Sequence, residues 1–178
     1  MVASTATDHV SLRVRYPDGT VEGPVSATRF VRPSDIDALS PTTMLWGSAS
    51  SGPVIKVFAG ITGDRVSDLT SAPAFPHRPY YMMTRNGYVT LENMGDNFGV
   101  QLTGFFQPAL SGEHRFHVMS DNGCELWLSA DLDVNNKRLI ASVSSYATSW
   151  DASSSQTSAP ISLRAVSFAA CMVPSGAR

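Results

Sequence analysis

The stretch LTGFFQPALSGEHRFHVMSDNGCELWLS, residues 102–129, decides the fold. Leu102, Gly104 and Phe106 alternate with Thr103 and Phe105, the two-residue period of a strand with one face toward a core. Residues 108–112 break that run with Pro108 and Gly112. His114, Phe116 and Val118 then form a second inward face, opposite Arg115, His117 and Met119. A polar corner follows, Ser120-Asp121-Asn122-Gly123, and beyond it Leu126 and Leu128 continue the pattern with Trp127 between them. Strands joined by such short turns predict an antiparallel sheet.

Outward from this centre the same signals recur. Val10, Leu12, Val14 and Tyr16 alternate with Ser11, Arg13 and Arg15, and Pro17-Asp18-Gly19 supplies a turn from which residues 21–30 return as a second strand. Pro33, Pro41 and a Ser/Gly-rich run make residues 32–52 a loop or linker, with a boundary near Gly52. Residues 54–58 form a short apolar strand. Pro73, Pro76 and Pro79 exclude a regular helix or central strand across residues 67–84, which read as an extended surface crossing. Leu139, Ala141 and Val143 continue the strand pattern, and Ile161 with Leu163 ends it. The Ser-rich residues 144–160, with Trp150 embedded, read as a binding or covering loop. No segment sustains a 3.6-residue period, so the fold class is all-β, an antiparallel β-sandwich.

Composition narrows the function. The chain has 178 residues, 43% hydrophobic and 16% charged, with a net charge of −2. Without runs of Lys or Arg it lacks the electrostatic footprint of a nucleic-acid or anionic-membrane binder. No window approaches eighteen consecutive apolar residues, so no membrane span is expected, and the opening MVASTATDHV has no signal-peptide pattern. Cys124 and Cys171 form no CxxC pair and read as two unrelated thiols rather than a disulfide. His114 and His117 have the spacing of a metal pair, but an offset of three on a strand sends them to opposite faces. The chain has no GxSxG elbow and no phosphate-binding glycine loop, and its carboxylates Asp64, Asp68, Glu92, Asp96, Glu113, Asp121, Glu125, Asp131, Asp133 and Asp151 are scattered without a singled-out pair; the expectation is a protein that is not an enzyme. Asp131, Asp133 and Asn135 begin like an EF-hand loop, yet Asn136 and Ser142 stand where that loop needs Gly and Glu, so turn capping is the expected use.

One ordered series is more specific. Gly104, Pro108, Ser111-Gly112, Phe116, Ser120-Asp121-Asn122, Glu125-Leu126-Trp127-Leu128-Ser129 and Asn136-Lys137-Arg138-Leu139-Ile140-Ala141 resemble the centre of the protective-antigen-fourteen domain family. This is a β-sandwich module named after a bacterial toxin component and found in adhesins, glycosidases and large cell-surface receptors. Gly60-Ile61-Thr62-Gly63 upstream and Ser158-Ala159-Pro160-Ile161 downstream extend the resemblance.

The resemblance implies a glycan-binding rim in which two successive acidic residues, joined by a cis peptide, hold a calcium ion. The matching positions are Asp121 and Asn122, with Tyr146 and Trp150 as neighbouring ligand-binding aromatics. Asn122 keeps an oxygen but loses a charge, so weaker calcium binding is expected, and a non-proline cis bond would cost about 3–4 kcal/mol. The resemblance further implies closing strands after Leu163, where this chain reads RAVSFAACMVPSGAR, with alternation at Val166, Phe168 and Ala170 sufficient for one strand. The expected layout is an arm or preceding-domain tail with a β-hairpin at residues 1–51, a sandwich at 52–163, incomplete at its C-terminal end, and an atypical tail at 164–178. The expected function is extracellular or cell-surface glycan recognition. The alternative is an assembly domain with a degenerate site, in which a protein partner completes the sheet.

Overall fold

The computed structural model describes residues 10–31, 52–84, 96–131, 133–147, 149–164 and 169–176. In chain order the elements are β1 (Val10–Arg15), β2 (Val21–Glu22), β3 (Phe30–Val31), β4 (Val54–Ala59), α1 (Val66–Thr70), β5 (Tyr81–Thr84), β6 (Phe98–Phe106), β7 (Gly112–Ser120), β8 (Cys124–Ser129), β9 (Arg138–Val143), β10 (Ile161–Leu163) and β11 (Ala169–Gly176). They form two antiparallel sheets. One runs β10-β7-β1-β2; the other runs β5-β4-β6-β11-β8-β9, with β3 pairing the far end of β6.

The alternation read from sequence sets the inner faces. Leu12, Val14, Phe116, Val118 and Leu163 from the first sheet meet Ile55, Val57, Val100, Leu102, Phe106, Leu126 and Val143 from the second in one core. Phe106 and Phe116 cross the interface edge to face, with ring centroids 5.4 Å apart. Fully burying each such side chain contributes roughly 1.5–3 kcal/mol. Phe58, one position out of phase with Val57, points to the other face of the second sheet. There it packs with Ile61, Leu69 and Phe75 beneath α1. Leu69 sits so close to β6 that a Cβ on Gly99 would lie 2.7 Å from its Cδ1.

Three expectations need correction. The first concerns residues 21–30, which are not one strand. Pairing to β1 stops after Glu22, where Pro24 cannot donate to a ladder. A 3-10 turn at Ala27–Arg29, capped by Ser26, then carries the chain across to the second sheet, where Phe30 pairs with Phe106.

The second is the division at Gly52. β1 lies inside the first sheet and pairs with β7 from Val10↔Ser120 to Arg15↔Arg115, while Leu12, Val14 and Phe30 belong to the common core. These N-terminal residues are sandwich, not an arm, because their alternating face matches that of β7.

The third is the C-terminal tail. β11 fills the place between β6 and β8, from Ala169↔Phe106 to Gly176↔Gly99. The second sheet is therefore continuous from β5 to β9, and the one strand that the alternation allowed in the tail lies at its centre. Its ladder to β8 pairs Ala170↔Ser129, Cys171↔Leu128, Met172↔Trp127 and Ser175↔Cys124, skipping Val173 and Pro174. The same register places Cys171 four positions from Ser175, the residue opposite Cys124. That is roughly 13 Å along the strand at about 3.3 Å per residue, beyond the reach of a disulfide between the two cysteines.

The proline-rich crossing is more ordered than its composition suggests. The α1 helix ends before Pro73, and β5 begins after Pro79 and pairs, among the described residues, with β4 at the edge of the sheet. No helix among the described residues is long and apolar enough to cross a membrane.

Candidate functional site

The polar corner of the central stretch joins β7 to β8 at one rim of the sandwich. Asn122 turns it with a left-handed backbone, φ 80°, a conformation that Asn tolerates better than most residues. The Ser120 hydroxyl donates to the Asn122 carbonyl at 2.7 Å. The Asp121–Asn122 peptide is trans, since the cis bonds among the described residues are Gly23–Pro24 and Phe75–Pro76. The corner is thus made by the φ of Asn122 and not by the cis bond that the resemblance implied. Asn122 is 2% exposed, whereas Asp121 is half-buried. Tyr146 pairs with Asp121 in an isolated bridge and is 58% exposed, and the Ala147 N–H donates to the Ser120 carbonyl at 2.9 Å.

Gly123 is the junction of this rim. Its N–H donates to the Asp64 carbonyl at 2.8 Å. A Cβ there would lie 2.8 Å from the same oxygen and 3.3 Å from Arg65 Cα and the Ser144 carbonyl. Only glycine lets these three chain segments meet. Between them opens a cleft of about 620 Å³, lined by Asp64, Arg65, Ser67, Glu125, Ser142 and Ser144 among others. Glu125 is fixed there, its Oε2 accepting the Trp127 indole N–H at 2.9 Å. Sequence reasoning left Asp64 and Glu125 among scattered carboxylates; the glycine after Asn122 was the available signal of a close approach, without a way to name what approached.

Trp150 lies elsewhere. The loop carrying it folds over the outer face of the first sheet, where the ring stacks beneath the Arg13 guanidinium, 5.0 Å from centroid to Cζ. Arg13 Nη2 also reaches Asp151 Oδ1 and His117 Nδ1, each at 3.2 Å, and the Thr157 hydroxyl lies 2.9 Å from the same imidazole nitrogen. His117 and Asp121 are four residues apart on the β7 line, roughly 13 Å at about 3.3 Å per residue. The four residues expected at one site therefore fall into two places, Asp121, Asn122 and Tyr146 at the rim, Trp150 on the sheet face. Burial of His117, reinforced by Arg13, holds its pKa below the ordinary histidine value.

The loop is stitched down as a cover. Gln156 is 1% exposed; its Nε2 donates to the Val118 and Ser149 carbonyls at 3.0 and 2.8 Å, and its Oε1 accepts from the Ser153 N–H at 2.7 Å. The Ser158 N–H donates to the Phe116 carbonyl at 2.9 Å. His114, on the opposite face from His117, is wholly buried, with Nδ1 2.9 Å from the Gly112 carbonyl.

The second oxygen cluster is turn chemistry. Asp131 accepts from the Ser129 hydroxyl, the Asp133 N–H and the Asn136 amide, and Asp133 caps the Asn135 N–H. The Ser129 and Asn136 hydrogen bonds hold the Asp131 carboxyl below its usual range. Among the described residues, no group of three or more His, Cys, Asp or Glu is placed to hold a metal ion. At the rim, Asp121 offers carboxylate oxygens while Asn122 is buried, which falls short of the six to eight oxygens that calcium takes. The donor set does not fit a protein-built calcium cage.

The fold and rim define a two-sheet β-sandwich domain with an open polar cleft at the corner between two central strands. Residues 84–165 match the family model of the PA14 domain. The chain is 31% identical over 134 residues to N-acetyl-beta-glucosaminyl-glycoprotein 4-beta-N-acetylgalactosaminyltransferase 1 of Mus musculus, a match covering 71% of this chain but only 13% of that protein. Among solved structures, the epithelial adhesin 6 A domain from Candida glabrata in complex with Galb1-3GlcNAc aligns with a TM-score of 0.47 at 11% identity, covering 71% of this chain and 74% of that one. The beta-glucosidase from Kluyveromyces marxianus in complex with glucose aligns with a TM-score of 0.40 at 15% identity, covering 85% and 16%.

Proposed function

We propose that this chain is a non-catalytic carbohydrate-recognition module, working outside the cell or at its surface, and that it reads glycoprotein glycans at the Gly123 rim. The cleft beside Gly123 carries the reading. Its volume is that of a small-ligand site, and its lining matches a neutral polyhydroxylated ligand. Asp64 and Glu125 accept hydrogen bonds from hydroxyl groups, Arg65 donates, and the serines do either. The exposed ring of Tyr146, beside Asp121, offers a surface for the apolar face of a sugar. The PA14 match supports this reading, as does the relative whose name makes it an enzyme acting on N-acetyl-beta-glucosaminyl glycoproteins. An N-acetylglucosamine-terminated glycan is therefore the first ligand to test.

The test is retention of the purified chain on surfaces bearing such glycans. Asp64→Asn and Glu125→Gln should each weaken retention, while Asp131→Asn, in a turn at the other end of β8, should not. Calcium is a separate arm: loss of retention with chelator and with Asp121→Ala would assign the ion a role at Asp121. Retention on no glycan surface, or retention indifferent to all three rim residues, would sink the proposal. The assembly alternative is the second reading, with a protein partner placed elsewhere than between β6 and β8, where β11 lies.

A further inference from the structure

We propose that His117 is an acid-sensitive latch that holds the loop tip at Trp150 and Asp151 against the four-stranded sheet while neutral and lets it go when protonated. The geometry fixes the closed state. Arginine has no acceptor, so the 3.2 Å contact from Arg13 Nη2 requires a lone pair on His117 Nδ1, and the Thr157 hydroxyl at 2.9 Å then donates to the same lone pair. The His117 side chain is 11% exposed, which leaves water little access to replace either donor.

Through that contact His117 positions Arg13, and Arg13 holds the tip. One guanidinium meets the Trp150 ring face and the Asp151 carboxylate together. The rest of the loop has its own anchors, Gln156 on Val118 and Ser149, and Ser158 on Phe116, none of which titrates. The movable part is consequently short, with fixed ends.

A proton on Nδ1 abolishes the bond accepted from Arg13, reverses the Thr157 contact so that the ring donates to the hydroxyl, and sets a cation against the Arg13 guanidinium. The charged groups around the ring tilt the balance toward opening. Arg13 and Arg15 face it from β1 and Arg115 from β7, while Asp151, 3.7 Å from Nδ1, is the one carboxylate near it among the described residues. Asp151 is 73% exposed, so solvent screens its attraction for the new cation. Burial and the three arginines place the transition below the ordinary histidine value of 6.5.

The experiment is an NMR titration of the whole chain from about pH 7.5 to about pH 5, the range in which histidine titrates. It follows the His117 ring, the Trp150 indole N–H and the amides of residues 150–152, with the amides of Val57 and Val100 reporting the core. The tip signals should move with the same midpoint as the His117 ring, and tip protection should fall about tenfold per pH unit below it while the core amides hold. His117→Gln keeps a neutral acceptor for Arg13 and Thr157, so it should leave the tip closed throughout. A tip indifferent to His117 titration, a tip more protected in acid, simultaneous loss of the core amides, or an unchanged pH response in His117→Gln would each overturn the latch.

Discussion

Replacing Gly123 by alanine should loosen the rim. The new Cβ would lie 2.8 Å from the Asp64 carbonyl oxygen, and ordinary contact begins at 3.4 Å, so the 62–65 segment must retreat by about 0.6 Å. That oxygen is backbone, and it accepts the residue 123 N–H, so retreat also stretches the 2.8 Å bond that ties the segment down. Overpacking of this kind costs roughly 1–3 kcal/mol, and a lost backbone hydrogen bond about 1 more. The loss of unfolded-state freedom on replacing glycine offsets roughly 0.4–1 kcal/mol. The net is about 2 kcal/mol of destabilisation. With a urea slope of roughly 2 kcal/mol per molar, the unfolding midpoint should fall by about 1 M. Ser145→Ala, an exposed change in the same cleft wall, should leave the midpoint within about 0.2 M, a surface substitution being worth at most ~0.5 kcal/mol. If Gly123→Ala unfolds at the parent midpoint with the residue 123 amide equally protected, the three-segment junction does not exist as described, and the glycan cleft loses its wall.

Two further outcomes follow from buried polar groups. Burial pushes the His114 pKa below 6.5, only partly opposed by its bonds to the Gly112 and Leu110 carbonyls, and His117 is depressed as well. The unfolded chain then binds more protons as pH drops below 6.5, so stability is full above that value and is lost as pH falls through the folded-state values. Urea midpoints at about pH 7.5 and about pH 5 should differ in that direction, and His114→Leu combined with His117→Gln should flatten the difference; an unchanged acid limb would refute the assignment to these rings. Gln156→Ala strips donors from the Val118 and Ser149 carbonyls and an acceptor from the Ser153 N–H, which should cost roughly 1–3 kcal/mol and expose residues 149–157 to hydrogen exchange. Unchanged exchange there would show that the loop is held by something else.

The strands were legible because each has one face in the core and a period of two that says so. Leu12 and Val14, Phe116 and Val118, and Leu126 all point inward as their alternation requires. The site was less legible because its residues come from distant segments. Asp64 and Glu125 are separated along the chain and meet only because the 62–65 segment lies against Gly123, and nothing local to either carboxylate announces that approach. Trp150 has a partner that the sequence did not announce. An aromatic in a long polar loop reads as a ligand residue, yet its partner Arg13 is an outward position of a strand more than a hundred residues away, at a face where alternation alone predicts solvent.

The C-terminal strand carries a residue that central strands rarely hold. A proline lacks the N–H that one neighbouring strand needs. Residue 174 is such a proline. The sheet absorbs it by letting one ladder lapse. β11 pairs continuously with β6 through Pro174↔Gln101, while its ladder to β8 skips Val173 and Pro174 and resumes at Ser175↔Cys124. β8 has its own irregularity near the gap, a register shift toward β9 between Leu126 and Trp127. Both strands thus depart from regular pairing where they run beside each other, just inside the corner that leads to Gly123. The lapse in the β11–β8 ladder therefore lies beside Glu125, whose carboxylate accepts the Trp127 indole N–H and lines the cleft.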